Sequence, residues 1–277
     1  MPDSVEEHDR LKRGVVVVSL VGGSLLFVWW APVPVFNAGA IAVAVLATHE
    51  LYKMFDAANG ERLLRAIGLG GAAALMLQRA LLPAGTLIVS IPLLIMIVLS
   101  VLAFKTRSPD ARELQTALVV MFGTVYIPVM IGQVISIRAL ANGRQWVAIV
   151  VFTIFIREIS AHFAGRLFPA GKLLNVHINE HKSFSGAVIG AAVASVAALV
   201  ASRYLIEGVT IAQAAAFGAC LGVACQLGDL SESYLKRVAG VRHSGKLLGP
   251  EGGVLDFVDA AAFAIVTARL LLLVWEY

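Results

Sequence analysis

The sequence predicts an all-α fold, a polytopic transmembrane helical bundle of about nine spans with its polar site gathered at the cytoplasmic face. Three observations lead there. The chain is 59% hydrophobic and 14% charged, with a mean hydropathy of +0.84, whereas soluble domains carry roughly 25% charged residues. Apolar runs recur along all 277 residues, most of them near the ~20 residues that a spanning helix needs. Lysine and arginine gather in alternate connections between those runs.

In order, the runs are Gly14–Val33, Phe36–Tyr52, Ala66–Leu82, Gly85–Phe104, Leu114–Ile137, Gln145–Ile156, Phe184–Ser202, Val209–Leu227 and Val254–Val274. The sixth is the shortest. The first ends on Trp29, Trp30 and Pro32 without a small-residue cleavage pattern, which predicts a retained span, not a cleaved signal. With a cytoplasmic N-terminus, most Lys and Arg fall on the cytoplasmic side. The opposite side receives Arg79, Arg138, Arg144 and Arg203, while Arg269 lies within the last span, snorkelling or packed in the bundle. The net charge of +4 then reflects cytoplasmic loops beside anionic lipid and argues against nucleic acid as a partner. The expected location is the inner (plasma) membrane, multi-pass. Residues 1–140 form an N-terminal group of helices and 141–277 a C-terminal region that holds the polar signature. Cys220 and Cys225 share one apolar run and read as buried thiols, not a disulfide or metal pair.

That signature is 228–259, GDLSESYLKRVAGVRHSGKLLGPEGGVLDFVD, a long polar interval between two apolar runs. Charges beside hydrocarbon are costly and are usually functional. Asp229, Ser233, Lys236 and Arg237 share one face if the helix of the preceding run continues. Asp256 and Asp259 share a face at the start of the final run. Gly249, Pro250, Gly252 and Gly253 break the helix between them and let its two ends approach. Carboxylate oxygens suit Mg²⁺, so Asp229, Asp256 and Asp259 are candidate metal ligands. Lys236, Arg237, Arg242 and Lys246 would neutralise phosphate charge. The bland alternative is a solvated loop with ordinary helix-end charges. The arrangement as a whole points to a metal and polyphosphate site at a membrane surface.

This stretch resembles the signature of the phosphatidate cytidylyltransferases, or CDP-diacylglycerol synthases. Ser233, Lys236, Arg237, Gly252, Gly253, Asp256 and Asp259 match its spacing without insertion or deletion. Arg242-His243 stands where that family has Lys-Asp, Glu251 where it has His, and Phe257 where it has Arg, which marks a divergent member. A second stretch, Arg157–Ser183, read as a cytoplasmic connection, matches at Ala161, Phe163, Gly165, Arg166 and Lys182, with Glu158 in an Asp position and Ser183 in a Thr position. The resemblance implies an enzyme of phospholipid biosynthesis with a cytoplasmic active site. It would transfer a cytidylyl group from CTP to phosphatidic acid or a similar lipid phosphate, giving CDP-diacylglycerol and pyrophosphate. Mg²⁺ is implied as cofactor, with K⁺ sharing the site. Asp229, Lys236, Arg237, Asp256 and Asp259 would be catalytic; Lys182, Ser183, Ser233, Arg242, Lys246, Gly252 and Gly253 would bind substrate. The competing expectations are a paralogue using another lipid phosphate or nucleotide, and a non-catalytic membrane scaffold or transporter.

Four features outside the signature carry expectations of their own. Lys182 and Ser183 at a helix entry suit a phosphate, while Arg166 and Lys172 read as positive-inside anchors. His162, His177 and His181 lack a third close ligand, which makes zinc a poor reading. Glu50 hydrogen-bonds within the bundle or lines the site, or else is a helix-end charge at the interface. Gly186 and Gly190 form a GxxxG for a bundle contact or a homodimer.

Overall fold

The computed structural model describes residues 19–55, 62–105, 110–168, 182–249 and 252–277. Each apolar run becomes a helix. α1 (Ser19–Trp30) leads into α2 (Val33–Met54), whose start holds Pro32 and Pro34, where a missing N–H leaves no helical bond unmade. α3 (Arg62–Leu81) and α4 (Leu87–Lys105) follow. α5 (Ala111–Ile131) is capped by Asp110, whose carboxylate accepts from the Arg112 N–H at 3.2 Å. Pro128 and Gly132 mark its junction with α6 (Gln133–Arg138). α7 (Gly143–Leu167), α8 (Phe184–Leu205), α9 (Ile211–Val238) and α10 (Val254–Val274) complete the order. Thr210 and Gln213 form a capping box that starts α9.

Among the described residues, seven helical stretches are long and apolar enough to cross a membrane: α2, α4, α5 with α6, α7, α8, α9 and α10. The chain is a multi-pass membrane protein. The other two of the nine expected runs are α1 and α3, and α3 carries Arg62, Arg65 and Arg79. α10 has the expected bounds, and α9 continues to Val238 as the signature requires. α7 differs from expectation. It does not stop at Ile156 but runs on through Arg157 to Leu167, 25 residues in all. The cytoplasmic-loop reading of Arg157 is therefore corrected: its side chain is fully buried. Its charge is matched inside the bundle, which is how a helix carries arginine at such a depth.

Small residues set the spacing of the last four helices. α7 packs on α8, α8 on α9 and α9 on α10. A Cβ at either Gly186 or Gly190 would press on Ala161 of α7, so the GxxxG is an internal contact between α7 and α8 and is not free for a dimer. At Gly228 a Cβ would come within 2.6 Å of the Asp259 carbonyl, so this glycine brings α9 and α10 together beside Asp229. α10 also packs on α2 and α5, joining the C-terminal helices to the N-terminal ones. Ala44, Ala47, Leu51, Ile127, Val254 and Leu255 share one core at that junction. Cys225 is buried as expected, whereas Cys220 is exposed on the outer side of α9. The helical period puts Ala214, Phe217, Gly218, Leu221, Gly222 and Cys225 on the buried face of α9 and leaves Cys220 off it. α4 exposes Ile88, Val89, Leu93, Met96 and Phe104, the surface a lipid-facing helix presents.

Candidate active site

Two ion-pair sets stand on α9 and α10 near the Gly228 contact. The first is centred on Asp229, which is 7% exposed. Its Oδ2 accepts from the Arg157 guanidinium at 3.1 Å and from Lys182 Nζ at 2.5 Å. Arg157 also donates to Gln226 Oε1 at 2.7 Å and to Glu158 at 2.5 Å, and Lys182 lies 3.4 Å from Glu158. Burial pulls the Lys182 ammonium towards its neutral form, but Asp229 and Glu158 outweigh that and raise its pKa above the usual lysine value. Lys182 is therefore a charged group at neutral pH.

The second set is centred on Lys236, which is paired with both Glu232 and Asp256. Asp256 occupies the third position of α10, and its carboxylate accepts the Gly253 N–H at 2.7 Å, satisfying a helix-end donor. The Ser244 N–H also reaches it, at 3.0 and 3.3 Å to the two oxygens. Gly252 turns the chain at φ +96°, a region L side chains avoid. Asp259 shares a small cavity with Glu232 and Tyr126, and its Oδ1 accepts the Ala260 N–H at 2.6 Å.

The remaining expected residues are less concentrated. Ser233 and Arg237 lie on α9 with Lys236. Ser183 caps α8, its hydroxyl accepting the Gly186 N–H at 3.1 Å. Arg242 and Lys246 stand at exposed positions of the connecting loop. Pro250, Glu251, Lys172, His177 and His181 lie outside the described residues. Phe257, in the place of an arginine, packs its ring on Phe155 of α7 at 5.8 Å.

Arg157, Glu232 and Ser244 were not among the expected site residues, and Glu50 was expected there only as one of two alternatives; all four are buried in the polar network. Glu50 is not a helix-end charge at the interface: its Oε2 accepts the Leu255 N–H at 2.8 Å and the Ser244 hydroxyl at 3.2 Å. Glu232 was legible, since it lies one turn before Lys236 on the same face. Arg157 was not, because its partner Asp229 is 72 residues away.

Among the described residues no three His, Cys, Asp or Glu side chains converge on one point. The donors nevertheless suit Mg²⁺ in kind. They are carboxylate oxygens, and Glu232 Oε1 is buried with no hydrogen-bond partner.

The Cytidylyltransferase family pattern matches residues 11–275. The chain belongs to this family. It is also similar to the phosphatidate cytidylyltransferase of Staphylococcus haemolyticus, 25% identical over 92% of this chain and 93% of that one. The Mycobacterium bovis phosphatidate cytidylyltransferase is 26% identical over 94% of this chain and 88% of that protein. A Helicobacter pylori phosphatidate cytidylyltransferase is 35% identical, and there the match spans about half of each protein, 46%. The first ion-pair set thus joins Asp229 of the signature to Arg157 and Glu158 of α7 and to Lys182 before α8, none of which the signature contains. Glu50 of α2 is hydrogen-bonded to the signature's Ser244 and Leu255.

Proposed function

We propose that this chain transfers the cytidylyl group of CTP to the phosphate of a membrane lipid, phosphatidic acid, giving CDP-diacylglycerol and pyrophosphate. One observation carries the reading: the carboxylates of α9 and α10 are paired with two lysines, Asp229 with Lys182 from before α8 and Asp256 with Lys236 of α9. The acceptor phosphate sits at the membrane surface with its acyl chains among the helices. Its oxygen attacks the α-phosphorus of CTP; the new P–O bond forms as the bond to the bridging oxygen breaks, and that electron pair leaves with pyrophosphate. Incoming phosphates compete with Asp229 for Lys182, and with Glu232 and Asp256 for Lys236. The lysines thereby exchange carboxylate partners for phosphate oxygens. Arg237 and Ser233 stand on the same helix as Lys236, and Arg242 and Lys246 meet the phosphates from the exposed loop. Gly252 and Gly253 keep the turn narrow at this point. No covalent enzyme nucleophile is required, and the thiol of Cys225 is buried.

Asp229, Asp256 and Asp259, with Glu232, are the groups that would hold Mg²⁺, which when bound neutralises charge on the transferring group and on pyrophosphate. K⁺ is proposed as a second occupant of the same acidic neighbourhood. The site faces the cytoplasm, where CTP is found, because the lysine and arginine of the connections favour that side.

A second reading, a paralogue acting on another lipid phosphate, is favoured by Phe257. A phenyl ring packed on Phe155 offers an anion nothing to pair with. Formation of CDP-lipid by the purified chain, across a panel of lipid phosphates, separates the two. Phosphatidic acid as the best acceptor supports the first reading. Preference for another headgroup, with Phe257→Arg shifting activity towards phosphatidic acid, supports the second. No product from any acceptor contradicts both.

A further inference from the structure

Glu50 belongs to α2, far from the signature in sequence, yet the signature loop closes on its carboxylate. It is 6% exposed. Two donors converge on Oε2: the Leu255 N–H in the first turn of α10, 205 residues away, and the Ser244 hydroxyl, 194 residues away. Ser244 passes the contact on. Its hydroxyl accepts the Asp256 N–H at 3.3 Å, and its own N–H donates to the Asp256 carboxylate. The loop leaves no slack around this group, since a Cβ on either Gly245 or Gly253 would overlap the Glu50 carboxylate. A carboxylate oxygen has room for both donors, and the first N–H groups of α10, which have no partner within the helix, find theirs in Glu50, Ser244 and Asp256.

We propose that Glu50 is a positioning residue: through Ser244 and the Leu255 N–H it fixes the side chain of Asp256 and the start of α10 for the phosphate chemistry. The proposal rests on the function proposed above, and it adds a requirement that lies outside the signature. Loss of the carboxylate frees Ser244 and the α10 N-terminus while leaving Lys182, Lys236 and Asp229 in place. Small displacements of groups that act in the transition state reduce turnover more than substrate binding.

The test uses the full chain in detergent, with Glu50→Ala and Glu50→Gln. Turnover and KM for CTP are read beside hydrogen exchange of the amides across 244–256 and the thermal melt. The expected result for Glu50→Ala is a fall in turnover of about tenfold to a hundredfold, with KM for CTP little changed, a cooperative melt, and faster exchange at Ser244 and Leu255. Glu50→Gln keeps one acceptor and recovers part of both. Should Glu50→Ala not fold, Ser244→Ala cuts the same link on the loop side and carries the same expectation. Wild-type turnover in the alanine variant, or lost turnover with unchanged exchange, overturns the proposal. If the unmutated chain makes no CDP-lipid at all, the function reading fails, while the exchange data still decide whether Glu50 holds the loop.

Discussion

Arg157 is a fully buried guanidinium that reaches Asp229, Gln226 and Glu158 at once. It ties α7 to α9 and fixes the carboxylate that Lys182 shares. Removing one partner of a buried pair costs about 3–5 kcal/mol, because the other charge stays buried without compensation. Arg157→Leu should therefore lower the unfolding midpoint in detergent by far more than Arg166→Leu at the end of the same helix. Equal effects would mean that Arg157 carries no structural charge. At this scale the sequence was legible where partners share a helix. Asp229, Glu232, Ser233, Lys236 and Arg237 follow helical spacing, so their common face is readable. Arg157 was opaque and Glu50 was left between two readings for the same reason reversed: Asp229, Ser244 and Leu255 lie far away in sequence, and a charge beside an apolar run looks like a boundary until its distant partner is found.

Helices approach one another through the residues that lack side chains. Gly228 lies next to Asp229, and a Cβ added there would stand 2.6 Å from the Asp259 carbonyl oxygen of α10. Gly228→Ala should force α9 and α10 apart, destabilise the chain by about 1–3 kcal/mol and lower turnover by shifting Asp229 against Asp256. Gly70→Ala is the control, since a Cβ there meets nothing within 4 Å, and alanine favours a helix over glycine. A Gly228→Ala variant no less stable than the Gly70→Ala one would contradict the close-packing account. Helix α10 was legible to the residue, because a polar glycine-rich turn ends where its apolar run begins. Helix α7 was read too short. Its apolar run ends at Ile156, and the pairs that let it continue are formed only in the folded bundle.

For the molecule as a whole, apolar composition and the spacing of the runs made the all-helical membrane bundle readable before any contact was known. The order in which helices pack was not, since apolar helices carry little record of their neighbours beyond the placement of small residues. Sidedness is likewise a property of the whole chain. With Cys220 and Cys225 replaced, a single cysteine at the exposed position Arg242 should react with an impermeant maleimide in inverted membrane vesicles and not in intact cells. The reverse pattern would place the signature on the opposite side of the membrane.

The central claim is that the carboxylates of α9 and α10, with Lys236 of α9 and Lys182 before α8, perform the transfer of a cytidylyl group. Pyrophosphate release from CTP, Mg²⁺ and phosphatidic acid by the purified chain, with Asp256→Asn alongside, tests it most directly. The account predicts release that depends on the lipid and falls by about a hundredfold or more in the variant, with the melt of the bundle retained. Equal release by both proteins would contradict it.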